Sequence, residues 1–232
     1  MDFKRGRLFV IEGADGSGKK TQSNILHKHL LRLGYETELL DFPQYGKNIF
    51  ADTVQAYLQR EFGDPTKINP YLASLPYAGD RLLVAPKIRQ GIDDGVIHIC
   101  NRYKSSNDGH QGAKIQDSFA RHKYFEWSRR VEYSEHGFNI PRPDLVALLD
   151  VDPAVSQQLV SARAESKGVE KDGHENNLDY LVNVARTFRE IAAGDPTWRI
   201  VESMEEGKLL SPDVIAVKVW KTIEPYLPPI NY

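Results

Sequence analysis

Gly13, Gly18 and Lys19 stand in the run EGADGSGKKTQ, Glu12 to Gln22, at the spacing G-x-x-x-x-G-K. That spacing suits the binding of a polyphosphate. Glycines let backbone N–H groups converge on an anion, and a following helix N-terminus adds partial positive charge. The lysine then reaches the terminal phosphates. A bare match also fits a glycine turn that merely joins a strand to a helix, so the flanks decide. RLFVIE (Arg7 to Glu12) reads as a short buried strand. QSNILHKHLLRLG carries Ile25, Leu26, Leu30 and Leu33 at helical spacing and ends at Gly34, a C-cap signal. In this context Gly13, Asp15, Gly16, Ser17, Gly18, Lys19, Lys20 and Thr21 form a candidate nucleotide-phosphate site.

One position departs from the pattern. Such loops place a serine or threonine after the lysine, where its hydroxyl binds Mg²⁺. Here Lys20 holds that place and Thr21 comes one residue late. A shift of one residue turns a side chain by about 100° around a helix. Thr21 is therefore expected to miss the metal position.

The elements that must hold this loop alternate along the chain. YETELLD (Tyr35 to Asp41) reads as a second strand, residues 49–61 as a helix, and GDPTKINP as a break. Residues 71–90 form a second mostly helical block, in which Pro76 and Pro86 are expected to interrupt continuity. GVIHIC (Gly95 to Cys100) is a third strand, residues 111–136 a helix, and DLVALLD (Asp144 to Asp150) a fourth strand. Pro153 opens another helix. A polar stretch, Ser161 to Asn177, then interrupts the chain before an amphipathic helix, LDYLVNVARTFREIA. WRIVES and SPDVIAVKVWKTI close as a strand and a helix. Strands alternating with helices imply a mostly parallel sheet covered on both faces.

The bulk numbers fit one compact unit of 232 residues, 41% hydrophobic and 27% charged, without repeats or linkers. A net charge of -2 gives no basic field of the kind that binds nucleic acid. Cys100 is the single cysteine, so no internal disulfide forms and a reducing compartment fits. The apolar run near the N-terminus stops at Glu12, too short for a signal peptide. No segment approaches the about 18 apolar residues that a membrane span needs. The expectation is a soluble cytoplasmic protein that binds neither nucleic acid nor membrane.

Four further motifs join the loop: DFPQYG (Asp41 to Gly46), YAGDR (Tyr77 to Arg81), NRYKSSNDGHQG (Asn101 to Gly112) and PDLVALLDVDP (Pro143 to Pro153). In this order and spacing, over nearly the whole chain, the set resembles the thymidylate kinase (dTMP kinase) family of the P-loop nucleoside monophosphate kinases. The loop alone is unspecific. The strand-ending RY with its downstream SNxxHQG, with FPxYG and PDLVxxLDV, is far more so. The resemblance implies a three-layer α/β/α fold of P-loop NTPase type around a five-stranded parallel sheet. It implies transfer of a phosphoryl group from Mg·ATP to dTMP, with Mg²⁺ as cofactor and ATP as co-substrate. It also implies a homodimer, and one kinase domain over 1–232 with a lid at about 162–175.

The resemblance gives roles to particular residues. Lys19, Asp15, Arg102 and Arg163 would form the catalytic set. Asp15 would sit near the acceptor's sugar and phosphate and help hold a Mg²⁺-bound water; its plain alternative is a turn aspartate bonding its own backbone. Phe42 and Tyr45 follow a strand, where ligands collect in open α/β sheets, and would wall the acceptor site. Tyr77 and Arg81 are four apart and share a helix face. They would stack on thymine and address its edge; the alternative is a core tyrosine beside a surface Asp80–Arg81 pair. Arg102 would bind the acceptor phosphate through its planar fork. Asn107 and His110 would contact base and deoxyribose. In the lid, Arg163, Lys167 and Lys171 would meet ATP phosphates, and Glu175 would reach the acceptor.

Asn101 is a second departure, since the family has an aspartate before this arginine. Two other readings stand beside the first. One is a kinase for another deoxynucleoside monophosphate, to be told apart at Tyr77, Arg81 and Asn107. The other is a nucleotide-binding protein with little catalysis, in which Lys20 and Asn101 mark lost Mg²⁺ handling.

Overall fold

The computed structural model describes residues 5–167 and 178–229, and its strands fall on the apolar runs. β1 (Arg7–Glu12), β2 (Thr37–Asp41), β3 (Ile97–Asn101), β4 (Leu145–Asp150) and β5 (Trp198–Glu202) form one parallel sheet in the order β2-β3-β1-β4-β5. The expected five-stranded α/β architecture is present.

Alternation along the strands assigns the two faces, because side chains two apart share a face. Leu8, Val10, Cys100, Val146 and Leu148 enter one core, with Ile88 and Ile92 of α3 (Pro70–Asp93) and Val184 and Phe188 of α7 (Leu178–Gly194). Phe9, Ile11, Ile99, Leu145 and Ala147 enter the other. There they meet Leu26 and Leu30 of α1 (Lys19–Arg32) and Ile215 and Val219 of α8 (Pro212–Ile223). Helices cover both faces, which is why β1, β3 and β4 read as unbroken apolar runs. Among the described residues no helix is long and apolar enough to cross a membrane.

Three local expectations need correction. The block at 71–90 is one continuous α3, despite Pro76 and Pro86. Ser74, Ala78, Arg81, Ala85, Ile88 and Ile92 are buried at alternating steps of four and three, so one face is packed from end to end. That tertiary burial offsets the local cost of the prolines. Gly79 lies so close to α2 (Ile49–Leu58) that a Cβ there would fall 2.5 Å from the Phe50 ring.

The helix expected over 111–136 is shorter, α5 (Ser118–Tyr133), and a separate helix, α4 (Lys104–Gly112), precedes it. The Asp117 carboxylate accepts the Ala120 N–H at 2.8 Å and starts α5 afresh. The polar stretch also begins later than expected, because α6 runs Pro153–Lys167. A short hairpin, β6 (Met204–Glu205) with β7 (Lys208–Leu209), has no counterpart in the sequence reading.

Candidate active site

β1 and β3 are neighbours whose onward connections run in opposite directions, to β2 and to β4. A crevice opens at the carboxyl ends of such strands. The loop from Gly13 to Gly18 leaves β1 there. Gly16 has φ +81, and a Cβ on it would fall 2.5 Å from the Ser156 carbonyl oxygen, so only glycine fits. α1 starts at Lys19 with no capping side chain and no acidic residue in its first turn. Its first N–H groups are suited to an anion. The Lys19 ammonium folds back over the loop and donates to the carbonyls of Gly13 at 2.9 Å and Ala14 at 2.7 Å.

Two cavities meet at this edge. One, of about 380 Å³, is lined by every residue from Asp15 to Gln22, with Asn101 and Arg102. Thr21, exposed, is on that wall. The other, of about 350 Å³, is lined by Asp41, Phe42, Tyr45, Tyr77, Arg81, Asn107 and His110 among others. Asp15, Lys20 and Arg102 line both.

Arg102 is the first residue past β3 and has φ +67, a left-handed backbone. For a non-glycine residue that conformation costs on the order of 1–3 kcal/mol and persists only when surroundings enforce it. Here its N–H donates to the Ile11 carbonyl at 3.2 Å. The turn sends the guanidinium back to Asp15, with which it forms a close ion pair, and to His110 Nε2 at 3.2 Å. Burial alone would raise the Asp15 pKa. The charges of Arg102, His110 and Lys19 outweigh it and hold the carboxyl well below the usual range. The Lys19 ammonium is 4.0 Å from it. Burial would lower the Arg102 pKa, but Asp15 and Glu12 keep it above its ordinary value.

At the far end of the second cavity, the surface Asp80–Arg81 pair weighed from sequence does not form. Asp80 is buried and accepts from the Gln44 N–H at 2.9 Å and Asn48 Nδ2 at 2.7 Å, so it orders the loop after β2. Arg81 instead pairs with Glu132, both nearly inaccessible. Asn107 Nδ2 donates to the Ser74 carbonyl at 3.2 Å and to Glu132 at 3.3 Å. Tyr77 meets Tyr57 edge-on, ring centres 6.3 Å apart. Phe42 belongs to the core and also walls the cavity, while Tyr45 is about half exposed.

The residues singled out from sequence in the loops after β1, β2 and β3 and on α3 and α4 thus converge. Arg163 and Lys167 are on α6, but their side chains, with Lys171 and Glu175, lie outside the described residues. Two buried carboxylates had no sequence signal. Glu132 was one residue of an expected helix. Glu12 ended a strand; its carboxylate accepts from Ser105 Oγ at 2.7 Å, Ser106 Oγ at 2.8 Å and the Gly13 N–H at 3.1 Å, tying the loop to α4.

A phosphate loop and an adjoining cavity that share one wall of charged residues define a P-loop nucleotide kinase. Comparison with known proteins narrows that class. The model of the thymidylate kinase family matches residues 11–211. The thymidylate kinase of Mycobacterium tuberculosis is 30% identical over 188 residues, covering 80% of this chain and 86% of that protein. The human thymidylate kinase is 28% identical over 96% of this chain and 98% of its own. In fold, the chain superposes on the thymidylate kinase structure from Candida albicans with a TM-score of 0.72 at 24% identity, over 96% of this chain and 92% of that one. The chain belongs to the thymidylate kinase family.

Proposed function

We propose that this chain transfers the terminal phosphoryl group of ATP to dTMP, giving dTDP, as its family membership implies. The observation that supports this most directly is the wall of Asp15, Lys20 and Arg102 common to both cavities. Two phosphate groups bound on either side of that wall would face each other, and positioning of this kind is most of what phosphoryl transfer requires.

In this reading the loop N–H groups and Lys19 bind the ATP phosphates. Arg102 grips the acceptor phosphate with its fork, and Asp15, kept ionised, orients Arg102. The Tyr77 ring lies against the pyrimidine. Arg81, its Nε and Nη2 committed to Glu132 and its Nη1 donating to the Tyr103 carbonyl at 3.4 Å, is held at the base side of the cavity. Phe42 and Tyr45 close the wall, and Asn107 and His110 take the sugar side. Arg163, Lys167, Lys171 and Glu175 act from the lid. No covalent intermediate is needed.

Mg²⁺ fits this set of donors. Asp15 is an ionised carboxylate, and Asn101 Oδ1 is a buried acceptor without a partner among the described residues. The ion takes most of its oxygens from phosphates and water, so few protein donors suffice. Among the described residues no cluster of three or more His, Cys, Asp or Glu is arranged for a metal. When bound, the ion neutralises charge on the phosphate oxygens; Asp15 would hold it through water. Exposed Leu72, Leu75 and Leu83 along α3, with Ile49 on α2, support a homodimer, which light scattering tests.

A coupled assay of ADP release against a panel of nucleoside monophosphates tests the reaction. dTMP is expected to turn over fastest. Absence of ADP release with dTMP, beside turnover of another monophosphate, sinks the assignment.

A further inference from the structure

The two departures from the family pattern meet in space. Lys20 stands where a hydroxyl is usual, and Asn101 where an aspartate is usual. Asp41 joins them. Its Oδ1 accepts from Asn101 Nδ2 at 2.6 Å, and its Oδ2 lies 3.6 Å from the Lys20 ammonium. Register brings this about. Asp41 and Asn101 are partners at the ends of β2 and β3, and Lys20 is in the first turn of α1 at the same edge of the sheet.

Asp41 also explains Asn101. An aspartate at 101 would put two carboxylates within hydrogen-bond distance, and like charges so close resist joint ionisation. The amide turns that repulsion into a donated hydrogen bond. One negative charge remains, and it has moved outward. Asn101 is 8% exposed, whereas the Asp41 side chain is 51% exposed and lines the acceptor cavity. There it faces Lys20, whose side chain lines both cavities. An exposed pair of this kind adds little stability. Its consequence is directional, because a lysine on a flexible four-carbon stem points where its partner holds it.

We propose that Asp41, oriented by Asn101, is a positioning residue that holds the Lys20 ammonium between the two cavities, where it contacts the phosphates of both substrates in place of the missing loop hydroxyl. The inference rests on the phosphoryl-transfer reading above. An ammonium has three donors, so it can keep Asp41 on one and give the others to phosphate oxygens. Positive charge so placed stabilises the charge that develops on the transferring group.

The test compares wild type with Lys20→Thr, Asp41→Asn, both together, and the exchanged pair Asp41→Asn/Asn101→Asp. The readouts are kcat, KM for each substrate, and calorimetric binding of ATP with and without Mg²⁺. Lys20→Thr is expected to lower kcat by about tenfold or more, and to weaken metal-free ATP most. Asp41→Asn is expected to lower kcat by roughly fivefold with KM for dTMP little changed, and to add nothing once Lys20 is gone. The exchanged pair keeps the hydrogen bond and the net charge, but withdraws the carboxylate from Lys20; it is expected to behave like Asp41→Asn. Wild-type kcat in the exchanged pair, or additive effects of Lys20→Thr and Asp41→Asn, would overturn the proposal. Failure of wild type to phosphorylate dTMP would sink the underlying reaction instead, and metal-free ATP binding would still report the Lys20–Asp41 coupling.

Discussion

Arg81 and Glu132 form a two-point ion pair inside the protein, Nε to Oε2 and Nη2 to Oε1, each at 2.7 Å, with both side chains almost wholly buried. Glu132 fixes the guanidinium of Arg81 at the wall of the second cavity. Removing one partner leaves the other charge unpaired in the interior, at a cost of about 3–5 kcal/mol. Glu132→Ala is expected to lose that much stability in urea denaturation. The apolar replacement Arg81→Met with Glu132→Leu is expected to recover most of it, yet not dTMP turnover. Recovery of turnover as well would show that Arg81 has no part in binding the base.

Asp15 is held ionised by Arg102, His110 and Lys19 against the effect of burial. Asp15→Asn leaves Arg102 and Lys19 facing a neutral amide, and kcat is expected to fall by at least about tenfold. The sign of the pH effect follows from its depressed pKa. The carboxylate stabilises the fold above the unfolded value near pH 4, and that contribution fades as pH falls towards the folded value. Thermal denaturation of both proteins should therefore show a gap at pH 7 that narrows below about pH 4. A gap independent of pH would mean that the charge contributes nothing.

Gly16→Ala would need a left-handed backbone at φ +81 and a Cβ 2.5 Å from the Ser156 carbonyl. The expected loss is more than about 1 kcal/mol of stability, because the native conformation is incompatible with a side chain. Weaker ATP binding should accompany it, since the loop cannot move without its N–H groups. Calorimetry with ATP checks this; unchanged affinity would detach Gly16 from the nucleotide site.

Lys114 donates to the Tyr57 hydroxyl at 2.8 Å and to the Pro65 carbonyl at 2.6 Å. Burial pushes its pKa down from 10.5 to about 8, with Asp64 partly opposing. Between those two values the unfolded chain binds more protons than the folded one, so stability rises with pH. The stability of wild type relative to Lys114→Met is expected to climb from pH 8 to 10 in denaturant titrations. A flat difference would contradict the burial effect.

Much of this protein was legible along the chain. The five strands, the phosphate loop and the position of Arg102 just past a strand follow from periodicity and spacing among near neighbours, which any stretch of chain carries with it. The continuity of α3 was not legible, because Pro76 and Pro86 speak locally for a break and only the buried face from Ser74 to Ile92 overrules them. Nor was the division between α4 and α5, although Asp117 was its one local sign.

The partners of charged groups lay further out of reach. Glu132 finds Arg81 across 51 residues, and Asn101 finds Asp41 across 60. The sequence by itself determined which residues are candidates for the phosphate-binding and base-contacting roles proposed above. The tertiary structure alone decided that Lys20 and Asn101 are joined through Asp41, since that meeting depends on the pairing of β2 with β3 and on where α1 starts. Periodicity is a property of neighbours, whereas the pairing of charges is a property of register and burial.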